Sequence, residues 1–378
     1  MVSKEIKEKM EEIIDGCLEC KSKPCMKNCV MLNDFGEDPK SIFKECIEKN
    51  KIPDKLSYSC NMCSQCTIAC PKDYKIQDIF MESRKLKVEK NKGRSPMRGH
   101  GVVEAHQYLG NSNFFKTSNK ALGDKKTVRV FLPGCSLSSY NPGAIGNILD
   151  HLQEKYDGEV GSVLKCCGKP TKDLGQEDKF KKRYASVQRS MDELGAEEII
   201  VACQSCYEVF RENSPNQRVK SLWEVLPELG LPKHAKGIGK DSDVIFGIHD
   251  SCPTRYNKKI QDGIRWILDQ MEYETEEPLH TKENTRCCGF GGMVGPANPK
   301  MTQTIRNKRA AEYNTDHIVS YCAGCRGAME SAGKDSVHIL DLIFGKRYTK
   351  SSATKRTQGT SVQWINRFKS KKELNKRK

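Results

Sequence analysis

The sequence predicts an α+β chain: a mostly helical N-terminal module, followed by two copies of an α/β unit built on parallel sheet. Three observations predict it. Nine of the 19 cysteines fall within residues 1–71 at short, loop-rich spacings, whereas residues 72–126 hold none. From residue 127 onward, apolar β-branched runs alternate with helical patterns, as in parallel α/β layers. Finally, the later cysteines recur at nearly constant separations. Cys135 to Cys252, Cys166 to Cys287 and Cys203 to Cys322 are 117, 121 and 119 residues, the mark of a duplicated unit.

The elements follow in order. The cysteine-rich start runs into a charged helical stretch, "IQDIFMESRKLKVEKN", and then into the Gly/Pro break "KGRSPMRGHG". A first module is therefore expected over 1–110 and a linker over 111–126. Strands are expected in "TVRVFL" (127–132), "EEIIVA" (197–202), "DVIFGI" (243–248) and "DHIVSY" (316–321), with helices over 178–195, 257–271 and 298–315. The two units span 127–240 and 241–345. A Ser/Thr/Lys-rich tail, 346–378, closes the chain.

Composition narrows the classes. The N-terminal "MVSKEIKEKMEEIIDG" is charged and helical, with neither the apolar core nor the cleavage site of a secretory signal. No run of about 18 apolar residues appears, and the mean hydropathy is −0.67. A cytoplasmic chain is expected, where thiols stay reduced and regularly spaced cysteines read as metal or redox ligands. The net charge of +15 suggests nucleic acid at first sight, but the tail holds 12 Lys/Arg against the single acid Glu373. Most of the basic character is therefore a tail property, and no nucleic-acid partner is expected.

"CNMCSQCTIACP" places Cys60, Cys63, Cys66 and Cys70 as C-x2-C-x2-C-x3-C-P, the bacterial ferredoxin run for a [4Fe–4S] cluster. In that pattern the fourth cysteine serves a second cluster. A second set exists in "CLECKSKPCMKNC": Cys17, Cys20, Cys25 and Cys29, with a longer middle gap and Val30 where proline is usual. Crossed ligation is expected, Cys17, Cys20 and Cys25 with Cys70, and Cys60, Cys63 and Cys66 with Cys29. A pair of zinc sites is the bland alternative. Cys46 is left over and reads as a small buried hydrophobe.

The repeated sets begin with "KCCG" at 165–168 and "RCCG" at 286–289. Neighbouring Cα atoms lie about 3.8 Å apart, below the usual disulfide span, so adjacent thiols read as ligands. Around them stand Cys135, Cys166, Cys167, Cys203 and Cys206 in the first unit. Cys252, Cys287, Cys288, Cys322 and Cys325 stand in the second. Gly168 and Gly289 would give room for close backbone approach and permit positive φ. Cys135, Cys203 and Cys322 fall where strands should end, the usual place for ligands in α/β sheets.

With its phrases "GCS", "HDSCPTR", "CCGFGG" and "SYCAGC", this pattern resembles the tandem cysteine-rich CCG domains of the heterodisulfide reductase catalytic-subunit family. The resemblance covers roughly residues 10–345, and the first gap of 30 residues is one short of the family's usual range. It implies a ferredoxin-like module with two cubane [4Fe–4S] clusters ahead of two Rossmann-like CCG domains. Each five-cysteine set would hold a noncubane [4Fe–4S] cluster; in some relatives zinc takes the place of one. The implied activity is reduction of a disulfide to two thiols between the two noncubane clusters, fed by the cubane pair. The alternative is an electron-transfer subunit linking a flavin dehydrogenase (glycolate, lactate or glycerol-3-phosphate type) to quinone or another carrier. The implied partners are a flavoprotein or membrane cytochrome subunit and a small disulfide or thiol.

Lys165, Lys169, Arg255, Arg286 and Arg326 crowd the ligands. They read either as compensation for cluster charge or as a pocket for an acidic disulfide. His249, three residues before Cys252, reads as a core or supporting histidine, with proton donation as the sharper alternative. In the tail, Val362, Ile365 and Phe368 repeat at i, i+3, i+6 beside Trp364. The stripe suggests docking to an acidic partner or the inner face of a membrane, against a disordered solubilising tail.

Overall fold

The computed structural model describes residues 2–352 and 358–378. The middle of the basic tail, 353–357, lies outside the described residues. The N-terminal module is helical, without a strand among its described residues. Its longer helices, Lys4–Leu18, Pro39–Glu48 and Ile76–Lys90, pack around Ile6, Met10, Ile13, Phe43, Ile79 and Phe80, all buried. Local chemistry starts them where they start. The Ser3 side chain accepts from the Ile6 N–H, and Asp38 forms a capping box with Ser41 ahead of Pro39 at the first helical position. Cys46 is buried in this core. Its thiol is pushed up to about 11, chiefly by burial.

The first α/β unit contains β1 (Thr117–Asn119), β2 (Arg129–Leu132), β3 (Val160–Leu164), β4 (Glu198–Val201) and β5 (Arg218–Ser221), in the order β1-β3-β2-β4-β5. The second contains β6 (Phe246–His249), β7 (Thr275–Glu276), β8 (His317–Ser320) and β9 (Asp335–His338), in the order β7-β6-β8-β9. All pairings are parallel except β1 with β3. The parallel strands of both units follow one plan, in which the unit's first strand lies between its second and third. That order creates a switch point between β2 and β4, and between β6 and β8, where doubly wound sheets place their ligands.

The expected strands formed as β2, β4, β6 and β8. The stretch expected as a linker, 111–126, supplies β1, whose Thr117 pairs with Leu164 across the antiparallel edge. Three polar residues carry no periodicity, so only the partner strand makes them β. The two units share one core. Trp223, fully buried, stacks edge-on against Tyr321 at 6.2 Å, and a Cβ at Gly263 would stand 2.0 Å from the Trp223 carbonyl.

The tail also differs from a solvated appendage. Its helix Thr360–Asn375 lies against the helices Cys135–Tyr140 and Pro142–Lys155. It buries Asn366, Arg367, Ser370 and Leu374 and leaves Val362, Ile365 and Phe368 exposed. The apolar stripe noted in sequence thus faces outward, and a largely polar face is the one that packs. Ser370 donates to the Ser138 carbonyl at 2.7 Å, and Arg377 makes a paired contact with Asp150.

Candidate functional site: two five-thiol sets around one cavity

Each unit brings its five cysteines to the carboxyl ends of its strands. Cys135 follows β2, Cys166 and Cys167 follow β3, and Cys203 and Cys206 straddle the turn from β4 into the helix Gln204–Asn213. Cys252 follows β6, Cys287 and Cys288 end the loop after β7, and Cys322 and Cys325 follow β8. The inner contacts repeat. Cys167 and Cys206 sulfurs lie 3.2 Å apart, as do those of Cys288 and Cys325. Cys135 touches Cys166 and Cys203 touches Cys206; Cys252 touches Cys287 and Cys322 touches Cys325. No cysteine is in a disulfide.

Gly168 and Gly289 do adopt positive φ, 86° and 81°. A Cβ there would meet Phe180 or the Thr302 carbonyl, so these glycines serve the turn and the packing behind it. The glycine that makes room at the sulfurs is Gly134, where a Cβ would stand 2.5 Å from the Cys203 Cβ.

The N-terminal cysteines form two groups. Cys17 and Cys25 both feel Cys20 and Cys70, and burial, ahead of those neighbours, pushes both thiols up to about 11. Cys29 lies instead with Cys60, Cys63 and Cys66. Burial above all holds Cys29 and Cys60 at about 12. This second group abuts the second five-thiol set, because the Cys63 and Cys287 side chains are in contact. Several thiolates crowded together out of water need a cation to answer their charge, and metal binding replaces the protons of the rest. All four groups therefore fit bound metal, and five contiguous thiols exceed what one tetrahedral zinc takes.

Between the two units lies a cavity of about 400 Å³. All five cysteines of the first set line it, together with Cys252 and Cys322 of the second and Cys63 of the N-terminal module. Val102, Tyr256 and Phe290, all exposed, stand at its rim.

The basic residues next to the cysteines in sequence have partners of their own. Lys169 pairs with Asp173 and Glu208, Arg286 with Glu312 and Arg326 with Glu330. Lys165 donates to the Ser186 carbonyl and to Ser190. Arg255, 2% exposed, donates to the carbonyls of Cys63, Glu283 and Thr285. Arg84 grips the same loop from the other side through the Cys60 carbonyl at 2.7 Å, and reaches Gly292 and Asp173 as well. Two arginines thus clamp the Cys60–Cys63 loop to the α/β units. Of the five residues that offered an anion pocket as one of two readings, Lys169 and Arg255 line the cavity, with donors already engaged, and Lys165, Arg286 and Arg326 do not line it.

His249 is buried beside Cys288. Its Nδ1 accepts from Arg309 Nε–H at 3.1 Å and lies 2.9 Å from the Tyr313 hydroxyl. Arg309 is a permanent donor, so the ring proton sits on Nε2, the nitrogen left to face Cys288. His249, Cys288 and Cys325 place their ligand atoms within 4.8 Å of one another. With Nδ1 accepting and Nε2 protonated, the ring donates to sulfur and has no lone pair left for a metal. Burial first, then Arg309, holds it below its ordinary value against the pull of Cys288, so it is neutral.

The first set has a counterpart from outside its own repeat. Gln107, on the helix His100–Gly110, turns Nε2 toward the Cys166 sulfur at 3.5 Å. Its amide is oriented by Thr171 and by Arg183 Nη1–H, which donates to Oε1 at 2.7 Å. Asn111 accepts from the Cys166 N–H at 3.1 Å. Arg367, from the last helix, completes this wall. Sequence reading missed Gln107, Asn111 and Arg367, since nothing in their local pattern ties them to cysteines.

Residues 129–211 and 246–330 each match the cysteine-rich CCG domain family. The chain therefore carries that domain in two copies. Among curated proteins it is similar to an uncharacterized iron–sulfur protein of Methanocaldococcus jannaschii, 24% identical over 290 residues, covering 71% of this chain and 56% of that one. An uncharacterized iron–sulfur protein of Methanococcus maripaludis is 23% identical over 344 residues, covering 82% and 66%. A component of the dihydromethanophenazine:CoB–CoM heterodisulfide reductase of Methanosarcina barkeri is 24% identical over 318 residues, covering 76% of each chain. The chain thus spans 56% and 66% of the first two relatives. Among solved structures, a hypothetical protein from Helicobacter pylori shares the fold, with a TM-score of 0.53 at 11% identity, covering 97% of this chain and 75% of that one. Two of these similar proteins are named as iron–sulfur proteins and the third as a component of a heterodisulfide reductase.

Proposed function

We propose that this chain is the catalytic iron–sulfur subunit of a disulfide reductase of the heterodisulfide type. In this reading Cys135, Cys166, Cys167, Cys203 and Cys206 hold one noncubane [4Fe–4S] cluster, and Cys252, Cys287, Cys288, Cys322 and Cys325 hold the other. Cys17, Cys20, Cys25 and Cys70, and Cys29, Cys60, Cys63 and Cys66, hold the two cubanes. The clusters supply one-electron chemistry at thiolate-bound iron. The chain's residues supply the rest. The observation that carries the reading is the single cavity lined by cysteines of both five-thiol sets.

A disulfide R–S–S–R′ entering there takes two electrons and two protons and leaves as two thiols. The contact of Cys63 with Cys287 gives a short path for electrons from the inner N-terminal set to the second unit. Arg84 and Arg255 hold that edge in register. Val102, Tyr256 and Phe290 add exposed apolar surface to the lining of the site.

The alternative is a relay subunit serving a flavin dehydrogenase. It is favoured by one feature: Cys287, Cys288 and Cys325 are buried and do not line the cavity. No helix among the described residues is long and apolar enough to cross a membrane. The exposed stripe Val362, Ile365 and Phe368 is the surface for a redox partner or a membrane face in either reading.

EPR of the anaerobically purified, oxidised protein separates the two. A paramagnetic signal that appears only with added thiol, and disappears in Cys288→Ala, supports the reductase. Reduction signals of the cubane type alone, unaffected by thiol, favour the relay.

A further inference from the structure

We propose that Arg367 is a positioning residue of the first five-thiol set: a fixed counter-charge at Cys135, delivered by the C-terminal helix, that favours the one-electron-reduced form of the site. The inference rests on the reading that this set holds an iron–sulfur cluster. It does not depend on disulfide chemistry.

Arg367 is 1% exposed. One guanidinium nitrogen, Nη2, donates to the Gly110 carbonyl at 2.8 Å, while its buried Nε–H has no hydrogen-bond partner. Among the described residues no carboxylate pairs with it. A buried cation in that condition is costly unless a negative group answers it. The remaining wall of its environment is the cavity at Cys135. There the Arg367 side chain is in hydrogen-bonding contact with the Cys135 side chain. The other buried arginines at cysteines do not share this condition. Arg84 and Arg255 give their donors to backbone carbonyls, and Arg309 pairs with Glu312.

The helix is built to hold this side chain. Trp364, one turn earlier, packs on His106 at 4.5 Å and on Phe115 at 4.7 Å. Asn366 donates to the carbonyls of Ser139 and Tyr140, and Ser370 to that of Ser138. The polar face that looked like a solubilising tail is thus the face that seats Arg367 over the first set. When the site gains one electron, the added negative charge meets a cation already in place. Arg367 cannot lose its proton, so it supplies no proton, and the reduced form is favoured through hydrogen bonding and charge near sulfur.

The test is a redox titration of the full-length, cluster-loaded protein followed by EPR, without added thiol. A Cys288→Ala background isolates the first set. In Arg367→Gln the first-set midpoint should move negative. At fixed ambient potential the oxidised-to-reduced ratio should rise at least tenfold, about 59 mV for one electron. Arg367→Lys should recover most of that shift, and the cubane midpoints should stay in place. Loss of the first cluster in Arg367→Gln but not in Arg367→Lys also supports a charge role.

Three outcomes overturn the proposal: an unchanged first-set midpoint in Arg367→Gln, an equal shift of every cluster, or loss of the first cluster in both variants. An unchanged midpoint with weakened thiol binding would assign Arg367 to an incoming anion instead. Absence of any first-set signal in the parent defeats the cluster reading itself, an outcome distinct from an unmoved midpoint.

Discussion

The two five-thiol sets are near copies in their sulfurs and unlike in their surroundings. Both place a sulfur pair 3.2 Å apart behind a strand end. Both also have a neutral donor aimed at a cysteine of the CCG pair and fixed by an arginine. Arg183 orients Gln107 toward Cys166, and Arg309 orients His249 at Cys288. The first set takes its donor and its cation from outside the repeat, through Gln107 and Arg367, and opens fully to the cavity. The second takes His249 and Arg309 from its own unit, is closed on three of its five cysteines, and touches Cys63. Leu132 occupies the first-unit strand position that His249 holds in the second, just as Cys135 corresponds to Cys252. Duplication supplied the two sets of cysteines; the flanking segments made their surroundings different.

The largest effect that tests this comparison is loss of one site at a time. Cys167→Ala and Cys288→Ala should each remove about four of about sixteen irons, read by metal analysis, and leave the ferredoxin-type signals in place. Loss of all clusters from either change would mean that the sites are not independent.

Next in size is the clamp at the second set. Arg255→Gln leaves buried carbonyls of Cys63, Glu283 and Thr285 without a charged donor. It should lower stability by about 3 kcal/mol or more, measured by denaturant unfolding. Arg367→Gln, with its single carbonyl partner, should cost about 1–2 kcal/mol.

A third effect depends on pH. In the metal-free chain burial holds Cys25, Cys29 and Cys60 at about 11, 12 and 12, above the ordinary thiol value of about 8.5. The unfolded state then releases its protons first. The stability these thiols contribute is full below about pH 8.5 and falls as pH rises toward their folded values. The unfolding temperature of the metal-free chain should therefore drop steadily from about pH 8.5 upward. The loaded chain, whose ligands are already thiolates, should show a much shallower slope.

The smallest effect is that of His249→Leu, which copies Leu132 into the second unit. Loss of one hydrogen bond to sulfur should lower the second-set midpoint by less than about 59 mV, under a tenfold change in the reduced fraction. A larger shift would give His249 a direct role in holding the site.

The grouping of the cysteines was legible because it is written in spacing, and spacing survives without any knowledge of the fold. The core strands β2, β4, β6 and β8 were legible as β-branched apolar runs. The edge strands β1, β5, β7 and β9 were not, because Thr117–Asn119 and Arg218–Ser221 carry no apolar alternation and become strands only against a neighbour. Proximity in sequence misled at the basic residues. Lys169, Arg286 and Arg326 stand beside cysteines in the chain yet point to carboxylates. The cation that does face the first set, Arg367, lies in a segment whose composition reads as a tail. Its role depends on Asn366 and Ser370 finding carbonyls on the helix that begins at Cys135, a tertiary fact that periodicity does not carry.

The central claim is that four thiol sets hold four iron centres, two of them on opposite walls of one cavity. Diffraction from crystals of the anaerobically purified protein, with data collected on both sides of the iron and zinc absorption edges, tests it most directly. Four iron anomalous peaks are predicted: one among Cys17, Cys20, Cys25 and Cys70, one among Cys29, Cys60, Cys63 and Cys66, and one within each five-cysteine set. Zinc peaks at both five-cysteine sets, or no metal in either, would contradict the account.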